Sequence, residues 1–155
     1  MEKVKCKITG EKISKIMSFG MMPIANEFIK SKNKKQYQYK MEISFNEKYG
    51  LFQLVDVPNQ KKIFNSNYAF LSSTSKLMEK HFKQISYELK KKFLKKKNNK
   101  ILEIGCNDGI FLKNFKNYNH LGVEPSRNVY KMSKKQGLNV VNDFFNNKFI
   151  NSNNV

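Results

Sequence analysis

A small set of acids, glycines and one aromatic in the last third of the chain has the types and spacing to hold a nucleoside. Glu103 lies inside the apolar run Ile101, Leu102, Ile104, and Gly105 and Gly109 follow at a spacing of four. Glycines let a backbone approach a ligand closely, and the unpaired N–H groups at a helix start point toward it. About twenty residues beyond the first glycine, the run His120 to Val123 ends in Glu124-Pro125-Ser126. In nucleoside-binding α/β folds an acid at the tip of the second strand accepts hydrogen bonds from ribose hydroxyls. Pro125 would bend the chain out of that strand. Asp143 and Phe144 follow, an acid and an aromatic suited to an adenine amino group and its ring. Asn107 stands where the second glycine of the dinucleotide pattern G-x-G-x-x-G would fall, so the turn is not the pyrophosphate-binding kind.

Such residues need parallel strands and intervening helices to position them. Ile101, Leu102 and Ile104 suit a buried parallel strand, and an amphipathic stretch starting at Ile110 reads as a helix. Ser126 is placed to cap a helix over Arg127 to Gln136, which Gly137 would end. A third strand is expected at Asn139 to Asn142. Upstream, Ser75 to about Lys97 reads as the one long helix. Its buried stripe is Met78, Phe82, Ile85, Leu89 and Phe93, recurring at three- and four-residue steps. The front of the chain reads as short β pieces. Met41 to Phe45 alternates, Leu51 to Val57 forms a strand entered through Tyr49-Gly50, and Met17 to Phe28 is an apolar, loop-like stretch.

Composition narrows the class. The chain has 155 residues and a formal net charge of +18. Arg127 is the only arginine, and alanine occurs only at Ala25 and Ala69. Arginine is the usual reader of phosphates and bases, so a charge carried by lysine argues against a nucleic-acid partner. The lysine run Lys90 to Lys100 suits the solvated end of a helix, where cations complement the dipole. Cys6 and Cys106 are too few for a disulfide framework. No signal peptide or membrane-spanning stretch is visible, and the expected location is the cytoplasm, with no membrane partner.

The pattern E-x-G-x-x-x-G formed by Glu103, Gly105 and Gly109 resembles the first motif of class I S-adenosyl-L-methionine (SAM) methyltransferases. The order of further pieces resembles one family among them, the C-methyltransferases of deoxysugar biosynthesis. These pieces are CKITG (Cys6 to Gly10), FGMMPIANEF (Phe19 to Phe28), YGLFQL (Tyr49 to Leu54), FNSNYAFLSSTS (Phe64 to Ser75), EIGCNDG and GVEPS. The resemblance runs from about Cys6 to Phe145. It implies an α/β chain in three parts: residues 1–62 a small β-rich domain of degenerate zinc-binding type, residues 63–98 an active-site loop and linking helix, and residues 99–155 the first half of a Rossmann-like sheet. It also implies SAM as cofactor, with Glu103, Gly105, Cys106, Asn107, Gly109, Glu124, Pro125, Asp143 and Phe144 at its site.

By the same resemblance, Tyr68 would orient a sugar substrate or assist proton transfer; packing is its plain alternative. The family's small domain holds zinc with two C-x-x-C pairs. Here Thr9 stands in the second ligand position, and Asn46 and Tyr49 replace the second pair. Only Cys6 of the four expected ligands is present, which argues against zinc. The implied reaction is methyl transfer to a carbon beside the carbonyl of a nucleotide-linked keto sugar. The general base is expected outside residues 1–155, so the chain reads as the front portion of a larger enzyme. Two rival readings are a SAM enzyme acting on RNA or another small molecule, and a non-catalytic SAM-binding half that pairs with a catalytic half on another chain.

Overall fold

The computed structural model describes residues 3–26, 28, 29, 31–33, 35–95 and 99–153. The chain is mixed α/β and divides into two compact units, Met1–Ile63 and Phe64–Val155.

The first unit is a curled antiparallel sheet in the order β1 (Lys3–Lys5), β2 (Lys12–Pro23), β3 (Gln38–Asn46) and β4 (Leu51–Leu54). A single turn of helix, α1 (Gln60–Ile63), follows. The segment read as a loop from Met17 is therefore strand up to Pro23, paired to β3 with register shifts between Lys15 and Met17 and between Ser18 and Met21. Gly20, at φ +73°, falls within the second shift, a backbone conformation that glycine adopts without strain. Glu27, part of the quoted motif, lies outside the described residues.

The alternation of Met41 to Phe45 misleads about which face is inside. Glu42, Ser44 and Asn46 are the buried side chains of β3, whereas Met41, Ile43 and Phe45 are only half-buried. Charge neutralisation makes the inversion tolerable. Lys15 and Lys40 reach the Glu42 carboxylate at 2.9 and 3.0 Å and hold its pKa below the usual carboxylate range.

The second unit begins with the loop from Phe64 and a 3-10 turn at Ser72–Thr74. The long helix α2 (Lys76–Phe93) follows, its first turn capped by Ser75, whose hydroxyl accepts the Met78 N–H at 3.2 Å. The expected stripe is buried only in its middle. Phe82, Ile85 and Leu89 are half-buried around Ser86, while Met78 and Phe93 at the ends are exposed. The expected helix end at Lys97 lies outside the described residues.

Three parallel strands complete the unit in the order β5 (Lys100–Ile104), β6 (Asn119–Val123) and β7 (Val140–Val141). Between β6 and β7 runs α3 (Arg127–Lys135), and α4 (Asn147–Asn153) follows β7. Gly137, at φ +76°, stands just past the end of α3, as its position suggests. The helix expected from Ile110 is only a 3-10 turn, Leu112–Phe115. The Asn114 side-chain amide donates to the carbonyls of Ile110 and Phe111 at 3.2 and 2.9 Å, satisfying acceptors that a longer helix would have used. Cys106, Leu112, Leu138 and Val140 form the core beside Gly122, with Tyr130 packed against them. A side chain at Gly122 would meet Cys106 Sγ at 2.7 Å and Leu112 Cδ2 at 2.8 Å. The glycine therefore makes room for the core. No helix among the described residues is long and apolar enough to cross a membrane.

Candidate functional site

The parallel sheet brings Gly105, Cys106, Asn107, Gly109, Glu124 and Pro125 to the carboxyl ends of β5 and β6, where open α/β sheets bind ligands. Glu103 lies within β5, Asp143 and Phe144 follow β7, and Tyr68 is on the loop before α2. The chain leaves β5 through Gly105, whose N–H donates to the Val123 carbonyl at 2.8 Å, and Cys106 donates to the same oxygen at 3.1 Å. Gly105, Asn107 and Gly109 all take positive φ, at +72°, +50° and +84°. Asn107 is the only described non-glycine residue in that region, one that asparagine tolerates better than most residues. Gly109 also lets the turn lie against Leu138 and Ser133, whose side chains a Cβ there would strike.

Glu124 closes the turn from the neighbouring strand. It is 4 % exposed, and its two carboxylate oxygens accept the N–H of Asn107 at 3.0 Å and of Ser126 at 2.7 Å. Ser126 thus precedes α3 without capping it by its side chain; the acid two residues earlier receives its N–H instead. Pro125 lies at this corner, and the Asn142 side chain donates to the carbonyls of Glu124 and Pro125 at 2.8 and 2.9 Å.

Glu103 occupies the inner side of β5. Burial pushes its carboxyl up to about 7; a hydrogen bond from the Leu112 backbone opposes this, and the nearby Asp108 charge adds to it. Cys106 is buried and its thiol is pushed up to about 12, first by burial and then by the charges of Glu103, Glu124 and Asp108. An inert packing thiol is the result. Buried oxygens without a hydrogen-bond partner occur on Glu103 (Oε2), Asp108 (Oδ1), Ser126 (Oγ) and Asn128 (Oδ1). All four residues flank the glycine turn or the start of α3.

The Tyr68 loop lies against this turn. Its Ser72 N–H donates to Asn107 Oδ1 at 2.9 Å, and Asn107 Nδ2 donates to the Phe70 carbonyl at 3.1 Å. Ser73 N–H donates to Asp108 Oδ2 at 3.0 Å, and Asn128 Nδ2 donates to the Tyr68 carbonyl at 2.8 Å. Rings then run in sequence from Phe70 to Tyr68, Phe64 and Phe144, with centroids 6.0, 5.7 and 6.2 Å apart. Tyr68 and Phe144 are thereby joined through Phe64. Asp143 is exposed and accepts the Phe144 N–H at 2.7 Å. His81 is exposed on α2, beside the Phe82 ring.

Asp108, Asn128 and Phe64 were missed by sequence reasoning. Asp108 offered one signal, an acid between two turn glycines. Asn128 offered none, because a polar residue in a first helical turn is ordinary.

In the first unit, Cys6 opens a turn closed by the Gly10 N–H to Cys6 carbonyl bond at 2.8 Å, and Asn46 opens a second turn that ends at Gly50, φ +61°. The Thr9 hydroxyl, then the backbone N–H groups of Thr9 and Ile8, lower the Cys6 thiol to about 7, with a smaller contribution from Asn46. One thiol, one hydroxyl and one amide do not make a tetrahedral zinc set, and Tyr49 is largely exposed. Among the described residues, no group of three His, Cys, Asp or Glu side chains could hold a metal ion.

Compared with known proteins, the chain matches no family model and no curated sequence.

Proposed function

We propose that this chain binds SAM and works as a class I methyltransferase, methylating a carbon of a nucleotide-linked keto sugar. Its parallel strands are read as the first half of a Rossmann-like sheet. The observation that carries the reading is the tie between Glu124 and the glycine turn. An acid at the tip of β6 stands beside the turn that leaves β5 and is hydrogen-bonded to it, the position from which an acid accepts the ribose hydroxyls in nucleoside-binding α/β sheets. The unpartnered buried oxygens beside it suit a polar ligand.

SAM supplies an electrophilic methyl group. Glu124 would accept the ribose hydroxyls on the lone pairs its backbone partners leave free. Gly105 and Gly109 would let the backbone approach, while Asp143 and Phe144 would meet the adenine. Tyr68 would stand on the acceptor side, where the carbonyl of the sugar acidifies the neighbouring C–H and a base must remove its proton. The cationic surface is lysine rather than arginine, which favours a small-molecule acceptor over RNA.

Isothermal titration with SAM and S-adenosylhomocysteine tests the cofactor. Saturable binding is expected, weakened about tenfold or more in Glu124→Gln, as for loss of a charge-assisted hydrogen bond. A folded chain that binds neither compound at millimolar concentration overturns the reading. Methyl transfer from labelled SAM to a 4-keto nucleotide sugar, rather than to RNA, tests the acceptor.

A further inference from the structure

We infer that the Asn107 side chain is a positioning residue for the Tyr68 loop, transmitting the state of the Glu124 corner to residues 68–75 rather than contacting the cofactor itself. For its ligand the inference rests on the SAM reading; for the latch it does not.

Asn107 faces two ways. Its backbone N–H belongs to the nucleoside side of the site, held by Glu124 Oε2 at 3.0 Å. Its side chain belongs to the loop, accepting from Ser72 and donating to Phe70. The two side-chain contacts demand opposite polarities, a carbonyl toward an N–H and an N–H toward a carbonyl. A flipped amide would lose both, so the pair defines one orientation. An asparagine side chain used this way completes a backbone-like pairing with the loop. Neither isosteric leucine nor a shorter serine would do so.

Conformation supports the same assignment. A positive φ is tolerated at asparagine but costs it more than glycine. A turn whose only task was to approach a ligand would be served better by glycine at this position. The side chain is therefore what the position uses. Asp108 adds a parallel tie to Ser73, so two successive side chains of the turn receive two successive N–H groups at the start of the 3-10 turn. These N–H groups have no partner within so short a helix.

The consequence is order between two ligands. Ribose hydroxyls arriving at Glu124 would hold the Glu124–Asn107 corner, and through Asn107 they would steady the loop that bears Tyr68 and Phe70. Cofactor would then prepare the surface on which the acceptor lands, a coupling through contiguous hydrogen bonds.

Hydrogen exchange by mass spectrometry on residues 69–75 tests this with Asn107→Gly and Asn107→Asp. Glycine keeps the backbone conformation and removes both side-chain contacts. Aspartate keeps the acceptor for Ser72 and loses the donor to Phe70. Without ligand, exchange in this segment should rise about tenfold in Asn107→Gly and fall back part of the way in Asn107→Asp. S-adenosylhomocysteine should slow exchange there in the wild-type chain and lose that effect in Asn107→Gly. Equal exchange in wild type and Asn107→Gly would overturn the latch. An undiminished ligand effect in Asn107→Gly would overturn the coupling. Failure of the wild-type chain to bind S-adenosylhomocysteine would sink the cofactor reading and the coupling together, while the ligand-free comparison still decides the latch.

Discussion

Glu124 and Asn107 meet across two strands, the carboxylate of one accepting the backbone N–H of the other at 3.0 Å. Glu124 spends its second oxygen on Ser126 at 2.7 Å. An acid expected to serve a ligand is thus also a structural acceptor, and its substitution has two separable effects.

Glu124→Gln keeps one accepting oxygen and should destabilise the fold by about 1–3 kcal/mol. Glu124→Ala leaves two N–H groups without their acceptor and should cost about 2–5 kcal/mol. Urea unfolding measures both. Equal stability of wild type and Glu124→Ala would mean that neither hydrogen bond forms in solution.

Glu103 gives a pH dependence of the less common sign. Its folded pKa of about 7 lies above the unfolded value of about 4.3. The folded state therefore holds more protons between those values, and this group's contribution falls as pH rises from about 4 to about 7. Glu103→Gln removes the charge and should stabilise the chain at pH 8 by about 1–3 kcal/mol, with little gain at pH 4. Thermal melts at the two pH values should show the difference. A parallel shift at both would refute the burial argument.

The glycines separate two costs. Gly105→Ala meets nothing within 4 Å and bears only its positive φ, an expected loss of about 1–2 kcal/mol. Gly122→Ala has no such backbone cost but drives a methyl into Cys106, Leu112 and Val140. About 1–3 kcal/mol is expected for such overpacking, together with changed near-ultraviolet dichroism from Tyr130 at the core.

Cys6 should ionise near pH 7 while Cys106 stays protonated, so thiolate absorbance between pH 6 and 8 reports Cys6 alone. Thr9→Val should move that transition upward, because the Thr9 hydroxyl is the leading cause of the lowered value. The stabilisation from the thiolate is present above the unfolded value of about 8.5 and is lost as pH falls through about 7. Elemental analysis of the same preparations should find no stoichiometric zinc. One tightly held zinc per chain would require a donor set other than Cys6, Thr9, Asn46 and Tyr49.

The mixed α/β class and the three parallel strands were legible because each strand carries a short apolar run with a glycine or proline close by: Gly105 after β5, Pro125 after β6 and Gly137 before β7. Gly137 and Ser75 were legible as helix ends from residue type alone, a glycine free to take positive φ and a hydroxyl able to cap. Polar side-chain interactions, which the apolar pattern does not register, hid the rest. The alternation in β3 does not disclose that Glu42, Ser44 and Asn46 face inward, because the charge that allows it is neutralised by Lys15 on β2 and Lys40 on β3. The helix after Ile110 was overestimated because Asn114 satisfies its own turn. Within the candidate site, the glycines and Glu124 stood out by spacing. The ties from Asn107 and Asp108 to the Tyr68 loop join residues some 35 positions apart, and no periodicity carries that information.

Among the described residues β5 ends its sheet, pairing with β6 alone, and Leu102 and Ile104 on one face of this edge strand are 37 % and 57 % exposed. Such an edge is a template for edge-to-edge pairing, and a high net charge counters it. Two copies each carrying +18 repel before their strands can meet, yet that repulsion reaches only about 10 Å at 0.1 M salt. Colloidal stability should therefore be greatest in dilute buffer. Added salt, by screening the lysines, would let β5 edges find one another and bring the chain out of solution.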